Sequence, residues 1–219
     1  MPDRVTVQVT DPESAIRLAL DTSERRTRGD LIRRALVAGG TLTLGGVVVG
    51  GLPRFARSAP SPAQDVRILN LVLLVEYLEA AFYADAVSKG RLTGELRQFA
   101  RVVGGHERAH AAFVAKTLGS AARKKPKFSF GAVTGDPAKF TAAALALEDL
   151  SVAAYNGQAT NLTKGALAAA ARIVSVEARH AAWIRFIAGK LPAPDPTDKP
   201  VTAAEATAAI NKTKFVKSA

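Results

Sequence analysis

Four successive stretches of this chain place their apolar residues three, four and seven apart, the spacing at which side chains share one face of an α-helix. The first stripe runs Leu69, Val72, Leu73, Glu76, Tyr83, Val87, and the second Leu96, Phe99, Val103, Glu107, His110, Val114, Leu118. The third is Ala144, Leu145, Glu148, Val152, Tyr155, and the fourth Ile173, Val176, Glu177, His180, Ile184, Ile187. Four amphipathic helices with apolar faces predict an all-α four-helix bundle. Each stripe is broken by a glutamate.

The punctuation between stripes sets the connections. Ser61-Pro62-Ala-Gln64 reads as an N-cap, a first-turn proline and a capping-box glutamine, so the first helix starts near Pro62 and ends at Gly90. Thr93 opens the second helix, which ends near Gly119 after passing through Gly104-Gly105, a pair that marks close helix approach or a local bulge. No helical pattern follows until Asp136-Pro137 caps the third helix, and Gly189 with Pro192 closes the fourth. Short links make helices one and two, and three and four, antiparallel hairpins, whereas the long middle connection permits a crossover between helices two and three. After a Pro-Ala-Pro-Asp-Pro linker, Thr202-Ala-Ala-Glu205 opens a short C-terminal helix expected to pack outside the bundle.

The residues that interrupt the stripes recur in order. Glu107-Arg-Ala-His110 and Glu177-Ala-Arg-His180 lie 70 residues apart, and each follows a Glu-x6-Tyr element, Glu76 to Tyr83 and Glu148 to Tyr155. Glu-x-x-His on a helix turns both side chains to one face, so the chain reads twice as a carboxylate helix followed by a carboxylate-and-imidazole helix. Carboxylates facing a core are costly unless neutralised, and four together repel one another. Two divalent cations balance four ionised glutamates, and two neutral imidazoles complete the shell without changing the sum. Oxygen-rich ligation without sulfur favours iron or manganese, with zinc still compatible with the ligand types.

This doubled pattern resembles the ferritin-like di-metal carboxylate proteins over roughly residues 61 to 210, most closely the exported branch of desiccation-related and stress-response ferritin-like domains. The resemblance implies that Glu76, Glu107, His110, Glu148, Glu177 and His180 are metal ligands, and that Tyr83 and Tyr155 stand behind the glutamates. It implies a dinuclear centre that meets oxygen or peroxide, in metal oxidation or oxidant removal. A non-catalytic stress protein and a metal buffer are the alternatives. Glu79, three residues after Glu76, breaks the repeat, because its counterpart is Ser151. It resembles the additional carboxylate that peroxide-reducing members offer to a metal on oxidation; the competing reading is an acceptor for an imidazole N–H.

Residues 106 to 110 also spell His-Glu-Arg-Ala-His, the zinc-metallopeptidase motif. That reading lacks a third protein ligand and leaves Glu76, Glu148, Glu177 and His180 unexplained. His106 is instead expected on the helix near the polar end of the bundle, on a face that can stand behind the ligands. Asp149, about 100° around the helix from Glu148, is expected to meet another helix or solvent.

The N-terminal part addresses location. Arg33-Arg34 precede an uncharged stretch of 18 residues, Ala35 to Leu52, with six glycines, followed by Pro53, Arg54 and Arg57. This resembles a twin-arginine export signal with cleavage after Ser58, and export to the periplasm or beyond is the expectation. An uncleaved membrane anchor is the alternative, and its glycines argue against a stable span. Residues 1 to about 30 show no durable periodicity and are expected to be disordered.

Cysteine is absent, which excludes disulfides, a lipoprotein anchor and thiolate metal sites. The whole chain carries a net charge of +11, and residues 59–219 alone +8. Basic charge invites a nucleic-acid reading, but the obvious cluster, Arg123-Lys124-Lys125-Pro126-Lys127, lies in a connection, and export argues against nucleic acid as a partner. Weak contact with anionic envelope polymers or lipids, and a homo-oligomer, are the other partner expectations. The chain therefore divides into an extension and signal over 1–58, a ferritin-like bundle over 59–191, and a Pro-rich linker with a helical tail over 192–219.

Overall fold

The computed structural model describes residues 59–217, and the expected signal, anchor and disordered extension lie outside them. Helix α1, Pro62–Lys89, starts where Ser61 Oγ accepts the Gln64 N–H, and stops at Gly90, whose φ of +64° suits a residue without Cβ. The Gln64 side chain does not return the bond to complete a capping box: its Oε1 is buried without a partner. Helix α2, Gly94–Leu118, follows Thr93, whose side chain makes no cap bond. Helix α3, Pro137–Gln158, is capped by Asp136 Oδ1, which accepts from Ala138 and Lys139 N–H at 3.0 Å each. Helix α4, Lys164–Ile187, completes the bundle.

Contacts at the helix ends define the directions. Asn70, near the start of α1, accepts from the Arg123 N–H at 2.6 Å and donates to the Ala121 carbonyl at 2.9 Å, just past the end of α2. Asp65, also at the start of α1, binds the N–H and hydroxyl of Thr163, which precedes α4. At the other end, Lys89 donates to Thr134 Oγ1 just before α3, and Trp183 of α4 donates to Glu95 of α2 at 2.9 Å. Thus α1 and α4 run one way and α2 and α3 the other. The segment between α2 and α3 must cross the length of the bundle, which is the ferritin-like connection.

That crossover is tied to the C-terminal tail. Strand β1, Lys127–Phe128, pairs antiparallel with β2, Val216–Lys217, and Ser129 N–H donates to the Phe215 carbonyl. Helix α5, Ala203–Thr213, opens with the complete Thr202–Glu205 capping box and buries Ala206 and Ile210. The linker lies directly on α3: Val201 N–H donates to the Ala153 carbonyl, and a Cβ on Gly157 would sit 1.8 Å from the Val201 oxygen. Phe215 and Phe130 cover Phe82 of α1, which stacks on Phe140 of α3 at 5.1 Å. Helix α1 is consequently buried well beyond its stripe, at Leu74, Val75, Leu78 and Phe82, whereas Val87 of the expected stripe is exposed.

The apolar core falls into two clusters. One gathers Leu78, Phe82, Phe99, Val103, Phe140, Leu147 and Ile184, the other Leu69, Val72, Val114, Tyr155, Ala170 and Ile173. The glutamates and histidines occupy the layer between them.

Candidate metal centre

Two helical turns on α1 and α3 and one on α2 and α4 build the polar layer. Helix α1 contributes Glu76, Glu79 and Tyr83, α2 Glu107 and His110, α3 Glu148, Ser151 and Tyr155, and α4 Glu177 and His180. All five glutamates have no solvent exposure. Gly104 on α2 lets this layer close: a Cβ there would lie 2.7 Å from the Tyr83 Cβ. The helix remains regular through Gly104-Gly105, so there is no bulge, and the close approach belongs to Gly104 alone.

The ligand atoms form two sets, Glu76, Glu107, His110, Glu177 and Glu107, Glu148, Glu177, His180. Glu107 and Glu177 belong to both. Glu76 with His110 closes one set, and Glu148 with His180 closes the other. The contacts cross between hairpins: His110 Nδ1 is 2.7 Å from Glu177 Oε1, 3.3 Å from Glu107 Oε2 and 3.5 Å from Glu76 Oε2. His180 Nδ1 is 3.0 Å from Glu107 Oε1, 3.4 Å from Glu148 Oε2 and 3.6 Å from Glu177 Oε2.

These atoms fit a pair of metal ions better than they fit one another. Glu76 Oε2, Glu107 Oε1, Glu148 Oε2, both Glu177 oxygens and His180 Nδ1 are buried without a hydrogen-bond partner, although His180 Nδ1 and Glu107 Oε1 are only 3.0 Å apart. Such spacing without hydrogen-bond alignment is what two ligands on one ion show, since bonds of about 2.1 Å at right angles separate donors by about 3 Å. The charge sum of four carboxylates and two imidazoles points the same way.

Without an ion, protons must supply the balance. Burial alone would pull down His110 and His180, but the carboxylates of Glu107, Glu177 and Glu76 close around His110 raise it to about 12, and those of Glu107, Glu148 and Glu177 close around His180 raise it to about 11. Burial, reinforced by Glu177, holds Glu76 well above the usual carboxylate range. Burial also lifts Glu148 to about 8, against the pull of the nearby His180 imidazole. Glu107 is the exception: burial opposes ionisation, yet the imidazoles of His110 and His180 beside it prevail and lower it to about 2. A divalent ion in each set would replace the imidazolium protons.

The tyrosines cross the bundle. Tyr83 of α1 donates its hydroxyl to Glu148 Oε1 of α3, and Tyr155 of α3 donates to Glu76 Oε1 of α1 at 2.5 Å. Each therefore holds the carboxylate of the other hairpin, not the one two turns away on its own helix. Burial first, then the adjacent glutamates, pushes both phenols well above 10, so they remain donors. Nothing in the sequence repeat distinguishes these two pairings, since they depend on which helices face each other.

Glu79 is buried with both oxygens unpartnered and belongs to neither ligand set. It accepts no imidazole N–H. Burial, and next the charge of Glu148, hold it well above the carboxylate range. His106 also lies outside both sets: its Nδ1 is 2.9 Å from His180 Nε2, so the His-Glu-x-x-His run does not ligate as a metallopeptidase unit. Asp149 pairs with Arg185 of α4 at 2.7 Å.

Four helices, two running each way, that enclose two carboxylate and histidine sets sharing Glu107 and Glu177 fit a di-metal carboxylate bundle. The sequence model of the ferritin-like domain matches residues 64–190. The chain belongs to the ferritin-like domain family. No curated protein matches it.

Proposed function

We propose that this protein is an exported ferritin-like oxidoreductase whose dinuclear iron or manganese centre reacts with oxygen or peroxide. The observation that carries the reading is the sharing of Glu107 and Glu177 between two ligand sets, because shared carboxylates hold two ions close enough to act together. Glu76 and His110 would complete one metal position, Glu148 and His180 the other. Bound there, a redox-active metal pair supplies the electrons that reduce oxygen or peroxide.

The chain's own residues perform the rest. Glu107 and Glu177 come from different hairpins, so the two halves must dock before either position is complete. Tyr83 and Tyr155 fix the terminal carboxylates through one oxygen each, which leaves Glu148 Oε2 and Glu76 Oε2 directed at the ligand sets. The apolar clusters above and below the layer limit water access. Iron and manganese suit this oxygen-rich set and can change oxidation state, which zinc cannot.

Export is supported by Arg33-Arg34 and the weakly hydrophobic stretch that follows. Arg33→Lys with Arg34→Lys should leave the protein in the cytoplasm, with the unsubstituted chain recovered outside it and beginning near Ala59; an intact N-terminus on membrane-extracted protein overturns cleavage. For the chemistry, metal content by mass spectrometry and consumption of oxygen and peroxide by the reduced, metal-loaded protein are the decisive measurements. Two ions per chain with turnover are expected. Two ions without consumption would favour the metal-buffer or stress-protein reading.

A further inference from the structure

The site is nearly two-fold, so the places where the repeat fails are informative. Glu76 corresponds to Glu148, Tyr83 to Tyr155, Glu107 to Glu177 and His110 to His180. Two positions do not correspond: His106 faces Val176 in the repeat, and Glu79 faces Ser151. The first departure falls beside the ligand set that contains His180.

His180 turns its Nδ1 toward Glu107 and Glu148, and its Nε2 toward His106 Nδ1 at 2.9 Å. The two ring planes are inclined by only 19° with centroids 5.1 Å apart, an edge-to-edge arrangement in which N–H and lone pair both lie near the ring planes. A nitrogen that ligates a metal must present its lone pair, so the proton of neutral His180 resides on Nε2 and is donated to His106 Nδ1. This bond selects the ligating tautomer and holds the ring plane. His110 receives no such support, because its Nε2 has no protein partner among the described residues, and Val176 carries no hydrogen-bonding group.

We propose that His106 is a positioning residue for His180 alone, and that the metal position formed by Glu148 and His180 consequently holds its ion more tightly than the position formed by Glu76 and His110. The inference rests on the dinuclear reading above. It implies stepwise filling, with the Glu148–His180 position loaded first and the exposed His106 edge acting as the outer support of the tighter ion.

Calorimetric titration of the chelator-treated full chain with manganese(II) tests it. The unsubstituted protein should show two separable steps. His106→Ala should weaken the tighter step by about 10- to 100-fold, the usual loss when a ligand's hydrogen-bond partner is removed, and leave the weaker step in place. His106→Gln, whose side-chain oxygen can accept the same proton, should recover most of the affinity, and Val176→Ala should change neither step. In a His180→Ala background His106→Ala should have no further effect, whereas in a His110→Ala background it should retain its full effect. Because His106 is exposed, circular dichroism of His106→Ala should match the parent. Two equal steps, an equal loss in both steps, or an effect of His106→Ala that persists without His180 would overturn the inference and leave the dinuclear reading intact. Failure of the unsubstituted chain to bind manganese(II) would instead remove the dinuclear reading itself.

Discussion

Gly104 of α2 lies directly against Tyr83 of α1, close enough that a Cβ on the glycine would come within 2.7 Å of the tyrosine Cβ. The contact lets the two helices approach while Tyr83 reaches across to Glu148. It makes the adjacent glycines unequal, since a Cβ on Gly105 would find only Arg108 Nη2, at 3.9 Å.

Gly104→Ala should therefore destabilise the protein by about 1–2 kcal/mol, the cost of overpacking exceeding the gain in helix propensity. Gly105→Ala should stabilise it by about 0.5–1 kcal/mol. Chemical denaturation of the two variants side by side measures both; equal effects would remove the close-approach account.

Ligand substitutions should separate shared from terminal positions. Glu107→Ala or Glu177→Ala deprives both sets and should lower bound metal from two ions per chain to less than one. Glu148→Ala should lower it to about one. The comparison is made by metal analysis after gel filtration, and retention of two ions by a Glu107/Glu177 double substitution would remove these ligands from the site.

Metal binding should release protons and strengthen with pH. His110 and His180, raised to about 12 and about 11, are protonated in the metal-free protein at neutral pH, as is most of Glu148 at about 8. A metal must displace those protons, so affinity rises as they become easier to remove. Stability of the metal-free protein has the opposite slope. The raised histidines contribute fully below their unfolded value of about 6.5, and that contribution declines as pH rises toward the folded values. Glu76, Glu79 and Glu148, also raised, lose stability with rising pH as well. Glu107 is lowered and already ionised in both states above its ordinary range, so it changes little there. Calorimetric scans from pH 6.5 to 9 should show the metal-free Tm falling and the difference between loaded and metal-free protein growing.

Glu79→Gln should leave two ions bound and slow reoxidation of the reduced protein by peroxide. The buried carboxyl lies outside both ligand sets, so it is not needed to balance two divalent ions. An oxidised pair carries more positive charge, which a neighbouring carboxylate stabilises selectively. Metal content and single-turnover rates on one preparation decide the matter, and an unchanged rate would leave Glu79 without a part in the chemistry.

The helices and their order were legible in the sequence because helix period and capping are local properties. Ser61-Pro62, Asp136-Pro137 and Thr202 through Glu205 mark starts that the structure retains, and the doubled Glu-x-x-His spacing alone indicates which faces turn inward. Contacts between distant segments were not legible. The sequence placed each tyrosine on a helix with a glutamate, but only the packing of α1 against α3 pairs Tyr83 with Glu148 and Tyr155 with Glu76. Val87 continues a periodic stripe yet is exposed, whereas Phe82 lies off that stripe and is wholly buried, because the crossover and the tail add a second covering to α1. The same limit applies to His106, whose role depends on the proximity of α4, 74 residues further along the chain. A residue's inward direction follows from its own helix; its partner follows from how separate helices are brought together by burial of the core.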